Sequence, residues 1–215
     1  MRRFLQPSAM ATCEPARARA YLVGLVAMGV IYSFMRGVTR LNEFLGRWVA
    51  HLIFAIFFLL ILEVFLRYSF RAPTVWTNEL AQLLFGAYAV LSGGYILAHG
   101  GHVNVDIIYS KFSVRTRARI DVFTSVFFFL FAVVLLIQGS LFAFESIAKF
   151  ESSHSAWNPS IWMFKAAIPV GAALLLLQGT VKLIQDIFLA AGRELPPDLR
   201  PGRHEAKAEA PGDAL

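Results

Sequence analysis

The sequence predicts an all-α, polytopic membrane protein: a bundle of four transmembrane helices with an N-terminal amphipathic helix on the membrane surface. Of the 215 residues, 57% are hydrophobic and 20 are Phe, which is more apolar surface than a soluble chain of this length can bury. The stretch from Glu79 to Ala98 also runs for 20 residues without Lys, Arg or Asp. A helix of that length reaches about 30 Å, the thickness of the hydrocarbon core of a bilayer.

The charge pattern and the cysteine content exclude several functional classes. The formal charge of +6 could suit nucleic acid, but the basic residues lie in short runs between apolar segments, so we expect no nucleic-acid binding. The single cysteine, Cys13, cannot form an internal disulfide, and no CxxC or Cys/His cluster indicates zinc. Because no region combines a nucleophile, a base and an orienting group, we predict no catalytic residue, no cofactor and no enzyme.

Residues 1–35 are predicted to be an N-terminal extension outside the four-helix domain. The apolar stretch from Tyr21 to Met35 has 15 residues, between the length of a signal-peptide core and that of a spanning helix. A cleaved signal peptide is not favoured, because Arg36 stands where a cleavage site would need a small residue. A spanning or re-entrant helix stays open for this stretch.

The four-helix domain is predicted to cover residues 36–190, and it opens with an amphipathic segment. Apolar side chains there recur at i, i+3, i+4 and i+7, which places them on one face of a helix that lies on the membrane surface. They are Leu41, Phe44, Leu45 and Trp48. The tail over residues 191–215, rich in Pro, Ala and mixed charge, is predicted to be disordered. The four predicted spans cover residues 48–66, 79–98, 120–144 and 161–190.

One carboxylate lies inside the first predicted span. Glu63 is costly in hydrocarbon unless it faces protein or water, and Arg67 follows it by one helical turn. An intramembrane ion pair between these two side chains is the simpler interpretation. A role of Glu63 in ion coupling is the alternative.

The second span has polar residues at one end and small residues at the other. Trp76 is predicted at the membrane interface, and Glu79 lies in the first turn, where the helix dipole favours an anion. Thr77 or Asn78 can cap this helix. The small residues at the other end permit close approach of another helix or end this one. They are Gly93, Gly94, Gly100 and Gly101.

The loop after the second span sets the predicted orientation. Its basic residues place it in the cytoplasm, together with the N- and C-termini of the four-helix core. These residues are Lys111, Arg115, Arg117 and Arg119. The same loop has His99, His102 and Asp106, which could be drawn as a metal site, but a fourth ligand is missing and structural roles are favoured.

The fourth span contains a helix breaker. Pro159 can occupy its first turn, and Pro169 with Gly171 inside the span predicts a kink. Such a kink is tolerated where neighbouring helices satisfy the freed backbone groups. Lys182 and Asp186, at i and i+4, are predicted to pair where the helix leaves the membrane.

Four segments of the chain are, in order, RLNEFLGRW, LEVFLRYSFRAPTVWTNELAQLL, GGYILAHGGHVNVDIIYSKF and PSIWMFKAAIPVGAALLLLQG. Their order and spacing resemble the small membrane subunit of tripartite ATP-independent periplasmic (TRAP) transporters, the DctQ family. The resemblance extends from Leu41 to Ile187. Each segment alone is a weak signal, whereas the four in this order are a specific one.

The resemblance implies a four-helix subunit of a secondary transporter in the bacterial inner membrane. In the family this subunit scaffolds a large permease subunit that carries the substrate and sodium sites. A periplasmic substrate-binding protein delivers the substrate, commonly an organic acid. By resemblance, Trp76, Glu79, His102 and Asp106 fix the shape of the subunit or its contact with partners. The glycines of the second span, Pro169 and Gly171 are expected to contribute to helix packing or to the same interface.

The chain departs from the family pattern in two places. Members commonly begin near the amphipathic segment, which implies that translation starts at Met35 and that the preceding residues are absent from the mature protein. Glu63 stands where a neutral polar residue such as Gln is usual. Two other functions stay open: a stand-alone four-helix channel or transporter, and a metal-dependent membrane enzyme.

Overall fold

The structure, a computed structural model, describes residues 14–100, 114–192, 196 and 199. These residues are almost wholly helical, and the only β pairing within the described ranges is one isolated bridge, between Ser152 and Ser160. The predicted all-α fold is therefore confirmed. The helices in the described ranges are α1 (Glu14–Ala50), α2 (Leu52–Ser69), α3 (Trp76–Ala98), α4 (Val114–Ala148) and α5 (Trp162–Ala190).

Four helical stretches in the described ranges are long and apolar enough to cross a membrane. They are Met28–Ser69, Trp76–Ala98, Thr116–Ala148 and Trp162–Ala190. This agrees with the prediction of a polytopic protein with four membrane-spanning helices. The first stretch is longer than the first predicted span because the residues before it are helical as well.

The chain divides into two compact units, Met1–Gly37 and Val38–Leu215. The described part of the first unit is the N-terminal portion of α1, which includes the predicted apolar stretch over residues 21–35. The second unit contains the rest of α1 and all of α2 to α5.

The long helices of the second unit pack mainly in a row, α2 on α3, α3 on α5 and α5 on α4. Helices α2 and α3 are antiparallel, because Glu63 near the end of α2 contacts Thr77 near the start of α3. Helices α4 and α5 are also antiparallel, since Asp121 near the start of α4 lies 3.6 Å from Lys182 near the end of α5. The central pair is α3 and α5, which run parallel, and the outer pair is α2 and α4.

The two ends of this row differ in chemistry. The tryptophan end, where α3 and α5 begin, carries Trp76, Trp157 and Trp162. The arginine end, where α4 begins and α5 finishes, carries Arg117 and Arg119. Tryptophan is typical of membrane interfaces, and clustered arginine is typical of the cytoplasmic side.

Two helix starts lie later than predicted. Helix α2 begins at Leu52 instead of Trp48, because α1 continues to Ala50. Helix α5 begins at Trp162, so the prediction that Pro159 occupies its first turn is wrong. The segment before α5 folds back on itself, with the backbone N–H of Ser153 donating to the Pro159 carbonyl at 3.0 Å.

The amphipathic part of α1 packs on the protein through its less apolar face. The residues that this face buries are Asn42, Gly46 and Val49, at i, i+4 and i+7. The large apolar side chains of the segment point outward, where lipid can cover them. Their exposed fractions are 44% for Leu41, 56% for Phe44 and 66% for Trp48.

One residue of the predicted disordered tail is packed. Leu199 is 4% exposed, and its carbonyl accepts a hydrogen bond from Nε2 of Gln185 in α5 at 3.1 Å. The chain after α5 is thus tied back to that helix at this position.

Candidate functional site

A buried carboxylate connects the end of α2 to the start of α3. Glu63 is 6% exposed, and its Oε1 accepts hydrogen bonds from Nε and Nη2 of Arg67 at 3.1 and 2.5 Å. Its Oε2 accepts from the backbone N–H of Thr74 at 3.2 Å and from the hydroxyl of Thr77 at 2.6 Å. The Thr74 hydroxyl donates to the same oxygen. Glu63, Arg67, Thr74 and Thr77 form what we call the corner cluster.

The corner cluster has the chemistry of a clamp. Five donor atoms converge on Glu63, and an ionised carboxylate is an acceptor only, so these donors match the charged form. A coupling ion could reach the carboxylate only by displacing bonds that hold the turn between α2 and α3. The geometry therefore favours the ion-pair interpretation of Glu63 and adds two threonines to it.

Thr77 does not cap α3. The residue at the N-cap is Val75, which makes no side-chain hydrogen bond to the helix. Thr77 lies inside the first turn, is 0% exposed and directs its hydroxyl to Glu63. The predicted capping role of Thr77 is wrong because α3 already begins at Trp76, so Thr77 lies inside the helix, where its hydroxyl donates to the Glu63 carboxylate.

The central pair crosses where the sequence has its glycines. A Cβ atom on Gly171 would lie 2.6 Å from the backbone carbonyl oxygen of Val90, and one on Gly94 would lie 3.3 Å from the backbone carbon of Leu174. The first distance is too short for any side chain, so α3 and α5 touch through their backbones. Gly93 is less constrained, because its nearest neighbour would be the Leu175 side chain at 3.7 Å.

A buried amide pair joins α1 to this crossing. Nδ2 of Asn42 donates to Oε1 of Gln178 at 3.2 Å and to the Val38 carbonyl at 3.1 Å. Asn42 is 1% exposed and Gln178 is 3% exposed. The Asn42 side chain also occupies the space next to Gly94 that a Cβ would need. Gly94 thus admits two neighbours at once, α5 and α1.

The tryptophan end is closed by contacts between α3 and the segment before α5. The rings of Trp76 and Trp157 lie 6.4 Å apart between centroids, and the hydroxyl of Ser155 donates to Oε2 of Glu79 at 2.6 Å. Both predicted residues, Trp76 and Glu79, therefore face the same loop. Left-handed backbone at His154 and Asn158, each with φ of 53°, gives this loop its tight shape.

An ion pair continues this contact toward α4. Nζ of Lys165 lies 2.6 Å from Oε2 of Glu151 and 4.1 Å from the centre of the Phe142 ring. The Lys165 ammonium lowers the pKa of Glu151. The lysine thus joins the loop before α5 to the outer helix α4.

The arginine end has the predicted pair and one further carboxylate. Nζ of Lys182 lies 3.0 Å from Oδ2 of Asp186 and 3.6 Å from Oδ2 of Asp121. Asp121 belongs to α4, so Lys182 connects α5 to α4 at this end. Pro169 lies inside α5, which runs as one helix between the two ends.

An open groove lies between the first halves of α3 and α5. Its volume is about 270 Å³, and its lining is mainly apolar, with Gln82 and Lys165 as the polar exceptions. A Cβ on Gly86 would meet nothing within 4 Å, so the groove is wide at that residue. No nucleophile or acid lines it, and its chemistry suits an apolar group.

Three predicted residues, Gly101, His102 and Asp106, lie outside the described residues. Gly100 has a φ of 73°, which suits glycine after the end of α3. The rings of His99 and Tyr95 are tilted by 37° with their centroids 4.1 Å apart, and Nδ1 of His99 lies 2.9 Å from the Tyr95 carbonyl. In the described ranges no group of three His, Cys, Asp or Glu residues could hold a metal.

Sequence reasoning missed several residues that hold these contacts. The local sequence pattern places Asn42 on the polar face of an amphipathic helix, and it places Thr74 in a loop. Gln178 is an isolated amide within an apolar span. Each of these three residues has its role because it bonds a buried partner elsewhere in the chain. The local pattern around the residue does not indicate that partner.

Comparisons with known proteins place this arrangement in a family. The family model described as Tripartite ATP-independent periplasmic transporters, DctQ component, matches residues 56–189. A curated relative is the sialic acid TRAP transporter permease protein SiaT of Haemophilus influenzae (strain 86-028NP), which is 28% identical over 144 residues. That alignment covers 67% of this chain and 22% of SiaT, so the chain spans about a fifth of the length of that relative.

Proposed function

The chain belongs to the DctQ-component family of TRAP transporters, and from that premise we propose that it is the small membrane subunit that scaffolds a large permease subunit. The family match covers α2, α3, α4 and α5 over residues 56–189, which include the corner cluster and the central crossing. A scaffold needs helices that keep fixed positions while a partner moves. The contacts in both places connect helix to helix.

The observation that carries this function is that the buried side chains of Glu63 and Gln178 form hydrogen bonds within the chain. Glu63 accepts from five donor atoms of the corner cluster, and Gln178 pairs with Asn42. A transport pathway needs polar groups that can exchange their partners for a solute or an ion. These two groups hold the helices instead, which supports a static role beside a transporting partner.

The relative supports a partner of larger size. In SiaT the matching region is about a fifth of one longer permease chain. This chain would supply the equivalent of that fifth. We extend the proposal to sodium-coupled uptake of an organic acid delivered by a periplasmic substrate-binding protein.

The orientation proposed for this subunit has the arginine end in the cytoplasm of a bacterial inner membrane. Lys111, which precedes α4, and three arginines near the start of α4 support it, because the cytoplasmic side is enriched in Lys and Arg. The arginines are Arg115, Arg117 and Arg119. The tryptophan end, with the loop before α5, then faces the periplasm. Both ends of the four-helix core lie on the cytoplasmic side in this arrangement.

Co-purification from native membranes tests the scaffold function. A tagged chain should recover a large polytopic permease in near-equal amount, and uptake of the solute should require both proteins. Recovery of the chain alone as a stable homo-oligomer would contradict the function. Solute movement by the reconstituted chain alone would support a channel, and loss of activity in His102→Ala with assembly intact would support a metal-dependent enzyme.

A further inference from the structure

Glu63, Gln138 and Gln178 are polar side chains within the apolar parts of the spans, and of these three Gln138 faces outward. Glu63 and Gln178 are buried and bonded inside the chain. Gln138 in α4 is exposed, and its amide makes no hydrogen bond to any residue that the structure describes. It therefore has a donor and an acceptor pointing away from its own protein.

Gln138 lies within the hydrocarbon. It precedes Glu145 by seven residues, which is about 10 Å along a helix, and follows Asp121 by about 25 Å. A bilayer core of about 30 Å between these charged residues contains it. Water is absent at that depth, so an unpaired amide there is unfavourable.

Two small polar side chains of α4 do not share this problem, because each bonds a carbonyl of its own helix. The hydroxyl of Ser140 donates to the Leu136 carbonyl at 2.6 Å, and that of Thr124 donates to the Ile120 carbonyl at 3.0 Å. A glutamine amide has more donors and acceptors than one such bond can satisfy. In membranes, Gln side chains commonly form hydrogen bonds between helices.

The surroundings of Gln138 form one continuous outward face. Phe131, Val134 and Leu141 lie on its side of the helix and are 62%, 50% and 60% exposed. We call these three residues together with Gln138 the Gln138 face. The outward face of α2 is different, because residues 52–62 contain no polar side chain and can contact lipid throughout.

We propose that the Gln138 face binds a transmembrane helix of the large permease subunit, which offers a hydrogen-bonding group at the depth of Gln138. This assignment depends on the proposed scaffold function. A permease is a better fit than a second copy of this chain because SiaT contains the matching region within one permease chain, where it covers 22% of the length. Helix α4, and not α2, is then the outer helix that meets the partner.

Site-specific photocrosslinking in native membranes tests the assignment. A photoreactive side chain at position 138 should crosslink to the polytopic permease that co-purifies with the chain. The matched control is position 58, where Phe58 is 65% exposed on α2. Crosslinks from position 138 to a second copy of this chain, or to lipid alone, would overturn the assignment, as would permease crosslinks from position 58 only. Absence of any permease in the wild-type purification would instead reject the scaffold function itself.

A substitution measures the contribution of the amide. Gln138→Leu should leave the stability of the isolated chain in detergent unchanged, because the amide has no partner there. It should reduce the permease retained after a detergent wash by about three- to tenfold, the range of a hydrogen bond between helices. Phe58→Leu should retain as much permease as the wild type. Equal retention in Gln138→Leu and wild type would contradict the assignment.

Discussion

The central pair, α3 and α5, and the outer pair, α2 and α4, are built for different surroundings. The spans that contain the outer helices are the more apolar ones. Yet only 17% and 6% of their most apolar 18-residue stretches are buried in the protein. For α3 and α5 the buried shares are 22% and 33%. In this protein the apolar helices are outside and the helices with glycine and polar residues are inside.

The difference shows what holds helices together in lipid. Burying apolar side chains between helices stabilises their association little, because the alternative surroundings are hydrocarbon as well. Close packing and hydrogen bonds between the helices must therefore hold them together. Gly171 and Gly94 permit the close packing. The corner cluster and the Asn42–Gln178 pair supply the hydrogen bonds. The phenylalanines of α2 and α4 mainly lie on the outer surface of the protein, where lipid can contact them.

The largest effect is expected from breaking the central crossing. Gly171→Val would place a side chain against the Val90 backbone, where a Cβ alone would lie 2.6 Å from the carbonyl oxygen. Overpacking against backbone cannot be relieved by a rotamer change, so we expect a loss of about 3 kcal/mol. The measurement is the free energy of unfolding in mixed micelles.

Gly86→Ala is the matched control for the crossing. Its Cβ would meet nothing within 4 Å, and alanine favours helix over glycine by about 1 kcal/mol. This variant should be as stable as the wild type or more so. A similar loss in both glycine variants would show that the crossing is not specific.

The second effect tests the corner cluster. Thr77→Val keeps the shape of the side chain but removes its hydrogen bond to Glu63. The free energy of unfolding should therefore fall by about 1.5 kcal/mol, as for a hydrogen bond to a charged group. Thr180→Val is the control, because the Thr180 hydroxyl only bonds the Leu176 carbonyl of its own helix, at 2.9 Å. Unfolding curves that coincide for both variants would contradict a stabilising role of the corner cluster.

A third experiment compares a glutamine of the central pair with one of the outer pair. Gln178→Leu removes the partner of the buried Asn42 amide and should cost about 1 kcal/mol. Gln138→Leu should cost nothing in the isolated chain, as it breaks no bond. Equal stabilities of the two variants would mean that the buried amide pair does not stabilise the protein.

The smallest effect concerns pH at the tryptophan end. Because Lys165 lowers the pKa of Glu151, the pair stabilises the folded state above the ordinary glutamate pKa of about 4.3, and this contribution is lost as the pH falls through the lowered value. Thermal unfolding of the wild type and of Glu151→Gln should differ near neutral pH and converge in acid. A constant difference at every pH would exclude this ion pair as its source.

Much of the fold could be predicted from local patterns. The run from Glu79 to Ala98 predicts its helix because bilayer thickness fixes the length of a spanning element. The spacing of Lys182 and Asp186 predicts their contact, which lies at 3.0 Å. Pro159 was placed in the first turn of α5 but lies before that helix, since the turns there depend on hydrogen bonds between Glu151, Ser153 and residues near Pro159.

The sequence by itself determined that the chain has four membrane-spanning helices and which family it belongs to, because these depend on composition, length and the order of local segments. Only the tertiary structure decided that Thr77 binds Glu63 instead of capping its helix. It also decided that Gln178 is buried against Asn42 whereas Gln138 faces outward. The physical reason is that a hydrogen bond between helices joins residues far apart in the chain. The residue pattern gives the donors and acceptors, and the packing of the helices decides which of them meet.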